Sequence, residues 1–277
     1  MNQTTQQVAE GVSAEQVRFF RTFGYLVLKG FFSPADMATI NEETDRAFDE
    51  QYAEPFDGKA RRDVYMVDQS TPFCTGLLEN PRCLTIAQQL ADRDLLGHVT
   101  HVAQFVGDSD WHRDTNTSFQ GGLGFRCYLE PVDADSGALR VIAVSHQIPR
   151  NYEEDDALWA GVVPLAIDQV PAAVLATEPG DAIVIDIGLW HGSCGGDAGR
   201  RMLSITYFNN PTSARECEFL CEQGVSAGQG QGKSRSRRDY VFSRAWLANT
   251  VADADRQRWI DRLREVGYFD APGLVES

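Results

Sequence analysis

Between Val99 and Phe208 the chain is cut into short runs rich in β-branched and aromatic residues: Val99 to Val106, Gly124 to Leu129, Ala138 to Ala143, Ala173 to Ala176, Ala182 to Ile187 and Met202 to Phe208. Asp133-Ala134-Asp135-Ser136-Gly137 and Pro179-Gly180-Asp181 are the clearest turn signals between them. Short strands at this spacing fold as a barrel or a double-sheet jelly roll, because each must bury one face against another sheet. The expected fold class is therefore mainly β with flanking α-helices, built on a double-stranded β-helix (jelly roll, cupin-like) core over residues 99–212.

The flanks read differently. Ser13 stands as an N-cap before the periodic run Val17 to Phe23, Gly24 ends it, and Tyr25 to Leu28 reads as a strand. Ser33-Pro34 then opens a second helix, which Met37, Ile40, Thr44 and Phe48 carry toward Tyr52, and another helix is expected near Cys83 to Leu96. Residues 13–97 thus form a helical N-terminal part. Gly224 to Gly232 alternate glycine with Ser, Ala and Gln, so 224–236 is expected to be a mobile surface loop, either a lid or a solvated connector. Helices over 237–266, carrying Trp246, Trp259, Ile260 and Leu263, are expected to dock behind it. The whole of 1–277 reads as a single domain.

Composition narrows the partners. A formal net charge of −15 repels a phosphate backbone, and the one basic cluster, Lys233 to Arg238, is short, so nucleic acid is excluded as a partner. No apolar run reaches the ~20 residues that cross a bilayer, and Met1 to Gly11 lack the pattern of a secretory signal, so a cytoplasmic protein with a small-molecule substrate is expected. The six cysteines have no CxxC spacing and read as thiols; Cys217 and Cys221 lack a second Cys/His pair to complete a zinc site.

The chemistry concentrates in two places. In Asp110-Trp111-His112-Arg113-Asp114, side chains two apart on a strand share a face, so His112 and Asp114 can both enter a barrel. In Asp186 to His191 an apolar strand ends in a third candidate ligand, His191. Two histidines and one carboxylate make the facial triad of non-haem Fe(II) oxygenases, with coordination positions left open. Those positions suit O2 together with a chelating 2-oxoglutarate, whose distal carboxylate then needs a cation. Arg200 and Arg201 follow His191, and strand alternation turns only one of them inward.

These motifs give the chain a resemblance to the phytanoyl-CoA dioxygenase family of Fe(II)/2-oxoglutarate-dependent oxygenases. Its carriers are Phe23 to Val27 with Phe31-Phe32-Ser33, Trp111 to Asp114, Ser136 to Ile142 leading to Ser145-His146, Pro179-Gly180-Asp181, His191 and Arg200-Arg201-Met202. The resemblance implies iron on His112, Asp114 and His191, with 2-oxoglutarate on an arginine after the distal histidine, and its register favours Arg200. Ala143-Val144-Ser145-His146 stands where the family has Pro-Gly-Ser-His. Related iron halogenases replace the carboxylate ligand, so Asp114 implies hydroxylation, desaturation or cyclisation of a C–H bond, with succinate released. A natural-product scaffold or another small polar molecule is the substrate class implied.

Further residues are weighed on their positions. Arg126 interrupts an apolar strand, so it lies on a solvated face or points a charge inward; Gln104 can bond co-substrate or substrate, or lie on the strand surface. His146 reads as a structural hydrogen-bonding histidine, and His98 and His101 as core or edge histidines, either of which could instead face substrate. Trp111 and Trp190 are expected to fix the ligand rotamers by packing. Two other functions are carried: a non-catalytic cupin-like binding protein, and an iron enzyme that uses O2 without 2-oxoglutarate.

Overall fold

The computed structural model describes residues 11–115, 117–148, 166–233 and 236–277. Helix α1 (Ala14–Phe23) begins at a capping box in which Ser13 and Gln16 bond each other's backbone amides, and it ends where Gly24 takes φ 83°. Helix α2 (Pro34–Gln51) begins the same way on Ser33 and Asp36. The short α3 (Pro72–Thr75) and then α4 (Pro81–Leu90), capped by Asn80, complete the N-terminal layer.

Among the described residues, ten strands form two antiparallel sheets: β1 Tyr25–Leu28, β2 Arg62–Tyr65, β3 Leu95–Gln104, β4 Ser109–His112, β5 Gly122–Tyr128, β6 Leu139–Val141, β7 Ala173–Leu175, β8 Ala182–Asp186, β9 His191–Ser193 and β10 Arg201–Asn209. The major sheet runs β1-β8-β5-β10-β3-β2 and the minor sheet β4-β9-β6-β7, which is the expected jelly roll. Alternation along β10 explains how it is held. Leu203, Ile205 and Tyr207 face outward into a large apolar core shared with α2, α4 and the C-terminal helices, whereas Met202 faces inward to a second core with Tyr128, Leu139 and Val141 between the sheets.

Three local expectations are corrected. The helix placed over Cys83 to Leu96 stops at Leu90, and Leu95 already begins β3, because Leu95 to Gln104 pair along the whole of β10 and that ladder outweighs helical propensity. The apolar run ending in His191 is two elements: β8 stops at Asp186, and His191 opens β9 in the other sheet. The strand reading of 25–28 is met, and it joins the sheet edge as β1 paired with β8.

The third correction concerns 224–236. Helix α5 spans Ala214–Lys233, so the glycine-rich stretch is helical through 233, while Ser234 and Arg235 lie outside the described residues. Gly224 and Gly228 are buried one turn apart, and a Cβ at Gly228 would stand 2.1 Å from the carbonyl oxygen of Pro272. The glycines admit the C-terminal segment against the helix backbone rather than loosening the chain. Gly228→Ala, which would stabilise an ordinary exposed helix by ~1 kcal/mol, is expected here to destabilise by roughly 2 kcal/mol, read as a lower urea midpoint at unchanged m-value; an unchanged or raised midpoint would contradict this packing. Behind it lie α6 (Arg244–Leu247) and α7 (Ala254–Glu265), with Trp246, Trp259, Ile260 and Leu263 buried as expected.

No helix among the described residues is long and apolar enough to cross a membrane. The six cysteines are free, as expected, and Cys221 donates to the carbonyl of Val266 at 2.9 Å. Val144 has φ 71°, a left-handed conformation that costs a β-branched residue about 1–3 kcal/mol. It precedes the 3-10 turn Ser145–Gln147, where His146 Nε2 meets the carbonyl of Arg21 at 3.3 Å, the structural role expected of it.

Candidate metal centre and its pocket

His112 closes β4 and His191 opens β9, and the two are paired directly across the minor sheet, with ring centroids 4.2 Å apart. Asp114 follows two residues beyond, past the end of β4 rather than on it. One ligand atom from each of the three lies within 4.8 Å of the others, and among the described residues no other group of three His, Cys, Asp or Glu is so placed. The chain thus brings together the three residues that the sequence singled out.

Their protonation suits a cation. His112 Nδ1 stands 2.7 Å from the carbonyl of Asp110, and His191 Nδ1 stands 2.8 Å from that of Leu189. Since a carbonyl only accepts, each ring carries a proton on Nδ1, and Nε2 is the nitrogen left to face a cation. Burial, only partly opposed by Asp114, pushes His191 down to about 4, so it is neutral near pH 7. Burial also pushes the Asp114 carboxyl up, but Arg126 and the two histidines outweigh it and hold the group well below the usual carboxylate range. Asp114 Oδ1 lies 3.7 Å from His191 Nε2, while its Oδ2 accepts a charge-assisted bond from Arg126. Two imidazoles that present Nε2 and one carboxylate with an oxygen turned toward them form a donor set that fits Fe(II).

Trp111 and Trp190 are buried against Ile142, Ile148 and Ile167 on the far side of the minor sheet, the packing position expected of them. The cluster opens into a cavity of about 80 Å³ between the sheets, lined also by Phe105, Tyr128, Ser193 and Met202. Arg126 points into it, so of the two positions left open for this residue the inward one is realised, with Asp114 as its carboxylate.

The two arginines separate by strand alternation. Arg200 is buried and turned inward: Nη2 donates to Ser193 Oγ at 2.6 Å, Nη1 to the carbonyl of Gly107 at 3.0 Å, and the guanidinium lies 4.8 Å over the Phe105 ring, while Nε has no partner. Arg201 is turned out to Glu130 at 2.7 Å, Asp45 at 2.6 Å and Asn41 at 2.9 Å, so it is corrected to a tie between β10 and α2. Gln104 is corrected likewise, because its face of β3 looks onto an outer groove beside Arg62 and Arg201.

Sequence reasoning missed Ser193, Tyr128 and Ser204 as lining residues, while His101 lines the cavity, the alternative to a core or edge position. Ser193 carried a usable signal, since two residues after His191 on a strand it shares the same face. His98, by contrast, is enclosed away from the cavity, stacked on Phe208 at 4.0 Å and bonded to the Tyr268 hydroxyl at 2.5 Å. Burial, with His101 nearby, pushes its imidazole down to about 3. An unfolded histidine titrates near 6.5, so the unfolded state takes up the proton first. This contribution to stability is full above pH 6.5 and is lost as pH falls toward 3, at up to ~1.4 kcal/mol per unit. Urea melts at pH 7 and pH 5 should show a smaller acid loss in His98→Gln than in wild type; equal losses would refute it.

Comparison with known proteins adds four findings. The sequence pattern of the phytanoyl-CoA dioxygenase (PhyH) family matches residues 20–202. An ectoine dioxygenase of Bordetella bronchiseptica is 23% identical over 219 residues, covering 67% of this chain and 71% of that one. The crystal structure of HygX from Streptomyces hygroscopicus, with nickel and 2-oxoglutarate bound, superposes with a TM-score of 0.60 at 16% identity, over 73% of this chain and 88% of that one. That of EvdO2 from Micromonospora carbonacea var. aurantiaca, complexed with 2-oxoglutarate, does so with a TM-score of 0.56 at 21% identity, over 75% and 95%.

Proposed function

The chain belongs to the phytanoyl-CoA dioxygenase family of Fe(II)/2-oxoglutarate-dependent oxygenases, and from that premise we propose that it oxidises a C–H bond of a small molecule of secondary metabolism. The reaction is a hydroxylation, desaturation or oxidative cyclisation, with 2-oxoglutarate leaving as succinate and CO2. The observation that carries this reading is the grouping of His112, Asp114 and His191 in one cavity between the sheets.

In this reading His112, Asp114 and His191 hold the iron. Bound there, it supplies the redox chemistry that couples O2 and 2-oxoglutarate to C–H oxidation, which no side chain can perform. The protein's part is positioning. The Asp110 and Leu189 carbonyls fix each ring's tautomer, so both Nε2 lone pairs face inward. Arg126 holds one oxygen of Asp114 and so leaves the other for the cation. Arg200 offers its unpartnered Nε, and Ser193 its hydroxyl, to the distal carboxylate of 2-oxoglutarate. The Phe105, Tyr128 and Met202 side chains exclude water from the space between.

The test is an anaerobic titration of Fe(II)-loaded protein with 2-oxoglutarate, followed by the weak visible charge-transfer band of the chelate, in wild type and His112→Ala. A band in wild type that His112→Ala abolishes is the expected result. No band in iron-replete wild type would reject 2-oxoglutarate and favour a cupin-like binding protein or an oxygenase with another reductant.

A further inference from the structure

On the face of the major sheet that looks into the cavity, the ladder registers align His101 of β3 with Ser204 of β10, and Ser204 with Arg126 of β5. All three line the cavity, which makes a continuous polar row across three strands. An apolar residue would serve the core better at each place. Ser204 is 1% exposed, yet its hydroxyl has no hydrogen-bond partner. A buried hydroxyl left unbonded costs about 1–3 kcal/mol, so a ligand atom is its natural complement.

The row is separate from the Arg200 end of the same strand. Four residues at ~3.3 Å each set the backbones of Ser204 and Arg200 roughly 13 Å apart, and the Arg200 guanidinium is held by Ser193 and the Gly107 carbonyl rather than by the row. The two places can therefore receive two ligands.

Charge identifies the second. Resting on the proposed function, Asp114 and the keto-acid end of 2-oxoglutarate balance the divalent iron, and the distal carboxylate balances Arg200. Arg61, at the cavity wall, is paired with Asp63 at 2.7 Å, and Asp63 lies 3.5 Å from His101. Among the described residues of the wall, that leaves the buried guanidinium of Arg126 sharing the single charge of Asp114 with the metal, and so short of a full counter-charge that an anion would supply. The geometry points to a primary substrate that carries a single carboxylate, received by Arg126 and the Ser204 hydroxyl with His101 at the end of the row. Because Arg126 also touches Asp114, the carbon oxidised lies within a few bonds of that carboxylate.

Calorimetric titration of Zn(II)-loaded protein, saturated with 2-oxoglutarate, tests this with matched acids and primary amides: isobutyrate and isobutyramide, benzoate and benzamide, phenylacetate and phenylacetamide. At least one acid should bind about tenfold or more tightly than its amide. Ser204→Ala should weaken that acid roughly fivefold with little effect on the amide. Ser204→Asp, which supplies Arg126 with a carboxylate from within, should erase the preference. Amides that bind as well as their acids, or no binding by either up to the solubility limit, would overturn the proposal, and the wild-type comparison stands even if a variant fails to fold. The preceding titration with 2-oxoglutarate separates the two readings: if that ligand does not bind, the co-substrate assignment falls, whereas its binding without acid preference removes only the substrate class.

Discussion

Asp114→Ala is expected to lower succinate formation roughly 10³-fold or more, since loss of the anionic ligand removes several kcal/mol of metal-derived stabilisation. It should also weaken metal binding at equilibrium, measured with Zn(II) or Co(II) in the absence of turnover. A separate effect on stability follows, because Arg126 loses the carboxylate it bonds and stays buried as an unpaired charge. The Asp114 side chain is 31% exposed, so this loss is placed at roughly 2–3 kcal/mol, below the cost of breaking a fully buried pair. Asp114→Ala/Arg126→Met should recover much of that stability in urea melts without recovering activity. A single variant that unfolds at the wild-type midpoint would show that the ion pair contributes nothing, and one that keeps metal affinity and turnover would remove Asp114 from the site.

Arg200→Leu has the second large effect: the KM for 2-oxoglutarate should rise about 100-fold, the loss from removing one partner of a buried charge-assisted pair. Arg200→Lys should recover only part of it, because an ammonium replaces the charge but not the planar fork beside Ser193. Arg201→Leu is the control. Its guanidinium is committed to Glu130, Asp45 and Asn41 on the outside, so the KM should stay within about twofold while stability falls by ~1 kcal/mol. The reverse pattern, with KM sensitive to Arg201 and not to Arg200, would reject the inward assignment.

The sandwich and the three clustered residues were legible because both rest on local signals. The strand runs at 124–129, 182–187 and 202–208 match β5, β8 and β10 within two residues at each end, since β-branched residues and turn formers act at short range. His112 and Asp114 were legible as a pair because they stand two apart in the chain, close enough to meet even though Asp114 lies past the end of β4. The strands β4 and β9, which carry the histidines, were not read as elements of their own. They are 4 and 3 residues long, too short for a period to show, and they exist by virtue of pairing with each other and with β6.

The glycine-rich 224–232 failed for the opposite reason. Composition reports what a segment does alone, and there the glycines favour a loop; the structure uses Gly224 and Gly228 to let Tyr268 and Pro272 approach the helix closely. Arg126 shows the same limit. The sequence placed a charge in an apolar strand but did not say where it pointed, because the face of β5 that turns inward is set by its register with β8 and β10.

What the sequence determined by itself was the sandwich, its helical flanks and the identity of the three residues that group at the candidate metal centre, since periodicity and ligand chemistry are carried by neighbours in the chain. The tertiary structure decided that Arg201 turns out to Glu130 while Arg200, which the resemblance favoured, turns inward onto Ser193, that Gln104 looks onto the outer groove, and that His101, Ser204 and Arg126 form one row. Each of those outcomes depends on strand register, and register is fixed by which face must be buried against a partner far away in sequence.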